Sequence, residues 1–175
     1  VIYMGSFSKV LAPGLRLGFV IAPEELHGKL VQAKQAADLH TPSFSQRIVY
    51  EAVQDGFLDA HIPTIRTLYA RQCELMLDAL DRYFPAEATW DKPEGGMFIW
   101  VNLPKGVDSA KLLAKAIEQN VAFVPGAPFY AVDPVPNTLR LSFVTVPQDK
   151  IEIGMQKLGA LLKAEIAGLS ATAAA

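Results

Sequence analysis

With a single cysteine, Cys73, in 175 residues, the chain can form no internal disulfide, which fits a reducing cytosol. No apolar run is long enough to span a membrane, and no signal-peptide pattern is present. The 16 basic and 18 acidic residues are interspersed and leave a net charge of −2, so no nucleic-acid footprint stands out. The three histidines, His27, His40 and His61, share no helical face and keep no company of Cys or carboxylates, which argues against a metal site. There is neither a Gly-x-Ser-x-Gly elbow nor a P-loop, so hydrolase and nucleotide-triphosphatase readings lack support.

What the chain does have is apolar content, 51% of its residues, enough for a well-buried core in one or two domains. It also has a distinctive stretch, Gly5-Ser6-Phe7-Ser8-Lys9-Val10-Leu11-Ala12-Pro13-Gly14-Leu15-Arg16-Leu17-Gly18. Val1-Ile2-Tyr3-Met4 before it reads as the end of a buried strand, and Leu17 to Ile21 as the start of another. A lysine at the end of a buried strand is costly to keep charged, and a desolvated amine is nucleophilic near neutral pH, as Schiff-base chemistry requires. Ser6 and Ser8 set hydroxyls beside Lys9, and Arg16 brings a planar fork of donors suited to a phosphate. Taken together, lysine for a carbonyl and hydroxyls with arginine for a phosphate describe pyridoxal phosphate. Taken singly, a lysine in a Ser-rich turn or an arginine after Pro-Gly is more often solvated surface.

The stretch resembles the cofactor-lysine motif S-x-S-K-x-x-x-P-G-x-R-x-G of class I/II aminotransferases of fold-type I. The resemblance is greatest to the LysN-like branch, which holds 2-aminoadipate and kynurenine aminotransferases. It implies that Lys9 is the catalytic lysine bound to the cofactor, and that Ser6, Ser8 and Arg16 bind the cofactor phosphate. It also implies transamination, in which an amino acid displaces Lys9 and the freed amine moves the α-proton. The donor would be aromatic, branched-chain or 2-aminoadipate-like, and the acceptor a 2-oxo acid such as 2-oxoglutarate. A cytoplasmic homodimer is implied as well. The groups that in this family meet the pyridine nitrogen and the cofactor ring lie upstream of such a motif. The chain opens at Val1, inside a strand-like segment, and reads as a C-terminal piece of a longer protein, expected to bind cofactor weakly and to transaminate poorly by itself.

Downstream, Pro23-Glu24-Glu25 opens a helix with Leu26, Leu30, Val31 and Ala33 as its apolar stripe. Ser43 reads as the N-cap of a second helix that ends at Gly56. The longest helix is expected from His61 to about Phe84, with Cys73 on its inner stripe as a buried thiol. Strands follow at 88–90 and 97–103, joined through Lys92 to Gly96. A helix capped by Asp108 or Ser109 comes next, then strands at 121–124 and 139–144. The last helix opens on a Thr145-x-x-Gln148 capping box, and the chain is expected to fray from about Ala164. The fold class is α/β, the end of a large cofactor domain followed by a small α+β domain. The divisions read as a large-domain remnant at 1–57, a connecting helix at 58–84, the small domain at 85–165 and a disordered tail at 166–175.

Arg140 alternates with Leu139 and Leu141 and so shares a strand face with Thr138 and Ser142. The segment Asn137-x-x-Arg140-Leu141-x-Phe143 resembles the family's N-x-x-R-L-x-F, which implies that Arg140 grips the substrate α-carboxylate. Without that motif, an edge-strand arginine facing solvent is the commoner case. Pro93-Glu94-Gly95-Gly96-Met97-Phe98 resembles the turn that approaches the substrate, so Gly95 and Gly96 are candidate substrate-binding residues, though the pair could equally be an ordinary bend. Val124-Pro125-Gly126-x-x-Phe129 resembles a small-domain loop that helps to close the site. A second reading comes from regulators of the MocR kind, in which an aminotransferase-like domain senses an effector behind a DNA-binding module. A third is a non-catalytic remnant that serves only in assembly.

Overall fold

The computed structural model describes the backbone of residues 1–173 and the side chains of residues 1–169. It comprises two compact units, residues 1–67 and 68–175. The division falls inside a long helix, α3 (Phe57–Tyr83), rather than at the expected boundary of 57/58.

In the first unit, β1 (Tyr3–Ser6) and β2 (Gly18–Ile21) form an antiparallel ribbon, with Tyr3 opposite Ile21 and Ser6 opposite Gly18. Helix α1 (Glu24–Asp38) follows with Pro23 as its N-cap and two acids in its first turn, the charge distribution that a helix N-terminus favours. Helix α2 (Ser43–Val53) starts on Ser43 itself, with Pro42 at the cap and no side-chain capping bond, so Ser43 is not the N-cap that its residue type suggested. It stops at Val53, and a 3₁₀ turn with Asp55 at φ 61° bends the chain into α3, four residues earlier than the His61 start that Pro63 suggested. Pro63 lies in the second turn of α3.

The expected buried strands are not buried. Met4 is 75% and Ile21 62% exposed, and Val49 is the one buried side chain among the described residues of this unit. A two-stranded ribbon with two helices cannot supply a second layer over both strand faces, and so β-branched and aromatic composition here marks strands without marking burial.

The second unit holds the core. Its sheet has the order β3-β4-β6-β5, from β3 (Thr89–Trp90), β4 (Phe98–Asn102), β5 (Val124–Pro125) and β6 (Thr138–Ser142), and every pairing is antiparallel. Ile99 and Val101 of β4 and Leu139 and Leu141 of β6 point into the core. Against them pack Met76, Ala79 and Leu80 of α3, Leu112 and Ala116 of α4 (Ser109–Glu118), and Ile151, Met155, Leu158 and Leu162 of α5 (Gln148–Ala173). Each fully buried leucine of this set contributes about 1.5–3 kcal/mol of transfer free energy. Asp108 caps α4 by accepting from the Ala110 and Lys111 amides at 2.9 and 3.2 Å. Asn137 ties β4 to β6: its side chain donates to the Leu103 carbonyl at 2.6 Å, and its carbonyl accepts from the Leu103 amide.

Three expectations change here. Strand β5 is two residues long instead of spanning 121–124, because Val121 donates its amide back to Ala116 at the end of α4. Cys73 is half-buried rather than buried, with its thiol pushed up by burial and then by Glu74. Helix α5 continues to Ala173 where a tail was expected from 166, since alanine is the strongest helix former and Ile166 packs against the core. The tail residues Ala174 and Ala175 lie outside the described residues. Among the described residues, no helix is long and apolar enough to cross a membrane, and no cluster of His, Cys, Asp and Glu could hold a metal ion.

Candidate active site

Four of the candidate residues lie together in the first unit: Ser6 ends β1, and Ser8, Lys9 and Arg16 are on the loop that joins it to β2. The ladder closes at Ser6 opposite Gly18, and the Phe7 amide continues it to the Leu17 carbonyl at 3.0 Å. Arg16, two residues before Gly18, is thereby held at the same end of the ribbon as Ser6. Inside the loop, Phe7 accepts from the amides of Leu11 and Ala12, which folds residues 7–12 into a turn around Lys9. Ser6 Oγ accepts from the Ser8 amide at 3.1 Å. Pro13–Leu15 make a 3₁₀ turn, and Arg16 ends it in the left-handed region at φ 51°, its Nη1 donating to the Pro13 carbonyl at 3.4 Å. Lys9 and Arg16 are exposed, so the burial invoked to activate the lysine is not present in these residues. The donor set (one amine, two hydroxyls and one guanidinium fork) suits a phosphate with a carbonyl attached, and nothing anionic on the loop competes for it.

The other three candidates lie in the second unit. Gly95 and Gly96 form the bend that leads into β4, and Gly96 has φ +82°, which a side chain would strain. A Cβ added at either would meet nothing within 4 Å, so the space beside both is open.

Arg140 is in β6 with a paired strand on each side: Trp100 of β4 faces it directly, and so does Val124 of β5. On this face of the sheet the arginine is walled by aromatic rings. Its guanidinium carbon lies 3.9 Å from the centre of the Phe98 ring and 4.8 Å from that of Phe129. Trp100 meets Phe129 edge-on at 5.6 Å and Tyr130 at 6.3 Å. None of the ion pairs among the described residues includes Arg140. Its Nε is buried without a hydrogen-bond partner, as is the Ser142 hydroxyl on the same face. A cavity of about 340 Å³ in this unit is lined by Phe98, Val124, Arg140, Ser142, Thr145 and Lys150 among others. Lys150 is paired with Asp149 at 3.7 Å, which leaves Arg140, with the Ser142 and Thr145 hydroxyls on the same lining, as the group that can meet a carboxylate.

The aromatic wall is what sequence reasoning passed over. The outward positions of β4 are Phe98, Trp100 and Asn102, the parity that faces Arg140, and the alternation Phe98-Ile99-Trp100-Val101 carried that signal.

The model of the family "Aminotransferase class I and II" matches residues 1–158. The 2-aminoadipate transaminase of Thermus thermophilus is 49% identical over 167 residues, 95% of this chain and 42% of that protein. Aromatic-amino-acid aminotransferase 1 of Thermococcus litoralis is 46% identical over 166 residues, 95% of this chain and 40% of that protein. The crystal structure of LysN, the alpha-aminoadipate aminotransferase of Thermus thermophilus, complexed with N-(5'-phosphopyridoxyl)-L-leucine, matches with a TM-score of 0.90 at 49% identity, over 95% of this chain and 43% of that one. The chain thus spans about two fifths of the length of the curated relatives it matches. Its mixed α/β architecture is that of the corresponding portion of fold-type I aminotransferases. With the lysine loop in one unit, the walled arginine in the other and a family match over residues 1–158, this chain belongs to the class I and II aminotransferases.

Proposed function

We propose that this chain is the part of a pyridoxal-phosphate-dependent aminotransferase that carries the cofactor lysine and the arginine for the substrate α-carboxylate. The observation that carries this reading is the loop between β1 and β2, which gathers Ser6, Ser8, Lys9 and Arg16 between two paired strand ends. Ser6, Ser8 and Arg16 would hold the cofactor phosphate, and Lys9 Nζ would bond its aldehyde carbon. When bound, pyridoxal phosphate supplies an electron sink for charge developing at the substrate α-carbon. Lys9 Nζ, once freed, is then the base for the substrate α-proton. Arg140 holds the α-carboxylate through its N–H fork, and the open bend at Gly95 and Gly96 leaves room for the substrate side chain.

The donor is an amino acid with an aromatic, branched-chain or 2-aminoadipate-like side chain, a range supported by the names of the two relatives above, with a 2-oxo acid such as 2-oxoglutarate as acceptor. The assembly that goes with this reading is a cytoplasmic homodimer. Transamination ranks ahead of effector sensing because both of those relatives are named as transaminases.

The test uses the full-length parent protein with added pyridoxal phosphate. Borohydride reduction followed by mass spectrometry should label Lys9, and an amino-acid panel should show turnover. Label without turnover on any donor points to effector sensing. No label on a folded protein overturns the cofactor reading altogether.

A further inference from the structure

We propose that Phe98 and Phe129 are positioning residues that occupy the faces of the Arg140 guanidinium, leaving its in-plane N–H edge for the substrate carboxylate. The inference rests on Arg140 being the carboxylate-binding group. An arginine side chain has much rotamer freedom to lose, and a neighbouring acid is the usual means of fixing it. No acid pairs with Arg140 among the described residues. An acid there would also compete with the substrate and cancel the charge that attracts it. Aromatic faces fix a guanidinium without neutralising it, because the ring quadrupole attracts the cation and carries no net charge.

The fold delivers the two rings separately. Phe98 is the diagonal neighbour of Arg140 on β4, two residues from its direct partner Trp100, within the reach of aromatic side chains. Phe129 comes from the turn after β5, where Gly126 donates its amide to the Thr138 carbonyl at 2.7 Å, two residues before Arg140 on the same strand. A Cβ at Gly126 would run into the side chain and backbone of Thr138 inside 3.0 Å, so that turn can approach β6 this closely only with glycine. Trp100 then braces Phe129 from its edge. The rings leave the buried Nε without a partner, so the fork is held by stacking rather than by hydrogen bonds.

The experiment is done on the full-length parent protein loaded with pyridoxal phosphate. Phe129→Leu and Phe98→Leu each keep apolar bulk and remove the ring, and Phe129→Tyr keeps the ring. The readouts are kcat, KM for an amino-acid donor, and the inhibition constant of 3-phenylpropanoate, a simple carboxylate probe. The inhibition constant matters because KM equals a dissociation constant only when chemistry is slow. Each leucine variant should weaken the probe about 2- to 30-fold, the span that corresponds to cation–π energies, with kcat changed far less. Phe129→Tyr should restore wild-type affinity, and bound-cofactor absorbance should be unchanged throughout. Unchanged probe affinity in both leucine variants, with Arg140→Gln still weakening it, overturns the inference and leaves Arg140 in its role. Unchanged affinity in Arg140→Gln as well removes the carboxylate reading itself. Loss of thermal midpoint in step with probe affinity in both leucine variants overturns the inference too, since the rings would then be structural supports.

Discussion

Trp100 and Arg140 face each other directly across the β4–β6 pair, and β6 has a paired strand on both sides. An arginine on an interior strand has a backbone that neither frays nor twists freely, so the position of its fork is set by the sheet. In the full-length parent protein, Arg140→Gln should lower kcat/KM for an amino-acid donor. Charge-assisted hydrogen bonds are worth about 1.5–3 kcal/mol each, which corresponds to roughly a 10- to 150-fold loss. Arg140→Lys should recover part of that loss only, because a point charge cannot grip both carboxylate oxygens from one plane. An amine lacking the α-carboxylate should be processed equally by wild type and variant. Equal losses for both substrates would place the defect in the fold instead of the carboxylate contact.

Gly159 of α5 lies against the backbone carbonyl of Tyr83 at the end of α3, so close that an added Cβ would come well inside 3.0 Å of it. The obstacle is main chain and cannot swing away. Gly159→Ala must push the two helices apart, and overpacking of this kind typically costs about 1–3 kcal/mol. The alanine would gain helix propensity in an isolated α5, a gain of under about 1 kcal/mol that acts in the opposite direction. Urea unfolding of this chain should therefore show a lower midpoint for Gly159→Ala. By contrast, Gly154→Ala in the same helix meets nothing within 4 Å and should hold or raise the midpoint.

The same pair of helices carries a pH-sensitive link. Glu152 of α5 accepts from Tyr83 Oη at 2.7 Å and from Arg82 Nη1 at 2.6 Å. The Tyr83 hydrogen bond first, then the Arg82 hydrogen bond and charge, hold its carboxyl below the ordinary value. The Tyr83 phenol is raised, chiefly by the same hydrogen bond. A lowered carboxyl binds fewer protons folded than unfolded, so its contribution is complete above the usual carboxylate range of about 4.3 and is lost as pH falls through the folded value. A raised phenol works in the reverse direction: its contribution is complete below about 10 and is lost as pH climbs through the folded value. Thermal midpoints measured across pH should show Tyr83→Phe losing the alkaline decline specific to the wild type. Glu152→Gln should flatten the acid limb as well. Both groups are at the surface, so high salt should shrink the difference.

How legible this molecule was depends on the kind of signal each element sends. Arg140 and its face-mates Thr138 and Ser142 were readable from a two-residue period, because one side of β6 is buried by Leu139 and Leu141 and the alternation is therefore strict. The cap on α4 was readable only as Asp108 or Ser109, and it is Asp108 that accepts from the Ala110 and Lys111 amides. The lysine loop was readable from residue types at fixed spacing, while the burial inferred for its strands was not, since Tyr3, Met4, Val20 and Ile21 have strand composition and are nonetheless exposed. Phe129 could not be placed against Arg140 by any local pattern, because the two meet through the Gly126–Thr138 approach, a non-local contact. Gln72 is a similar case: it sits on the buried side of α3 at an otherwise apolar stripe and donates to the Val146 carbonyl at 3.0 Å.

The last prediction concerns the chain taken by itself. Its second unit has a continuous core from Met76 to Leu162, whereas its first has one buried side chain, Val49, among the described residues. The lysine loop belongs to the first. A phosphate gripped by exposed Ser6 and Arg16 and half-buried Ser8 keeps most of its competition from water, and Lys9 is exposed as well. No acid on the loop is placed to meet a pyridine nitrogen. The 175-residue chain should therefore fold its second unit and still hold pyridoxal phosphate only loosely. After gel filtration it should retain no protein-bound cofactor absorbance, and its transamination rate should sit near background. Borohydride trapping at high cofactor concentration should label several exposed lysines rather than Lys9 alone. A stable absorbance with turnover from this chain would show that the loop needs no further layer to work, and that the uncovered ribbon sets no limit on cofactor binding.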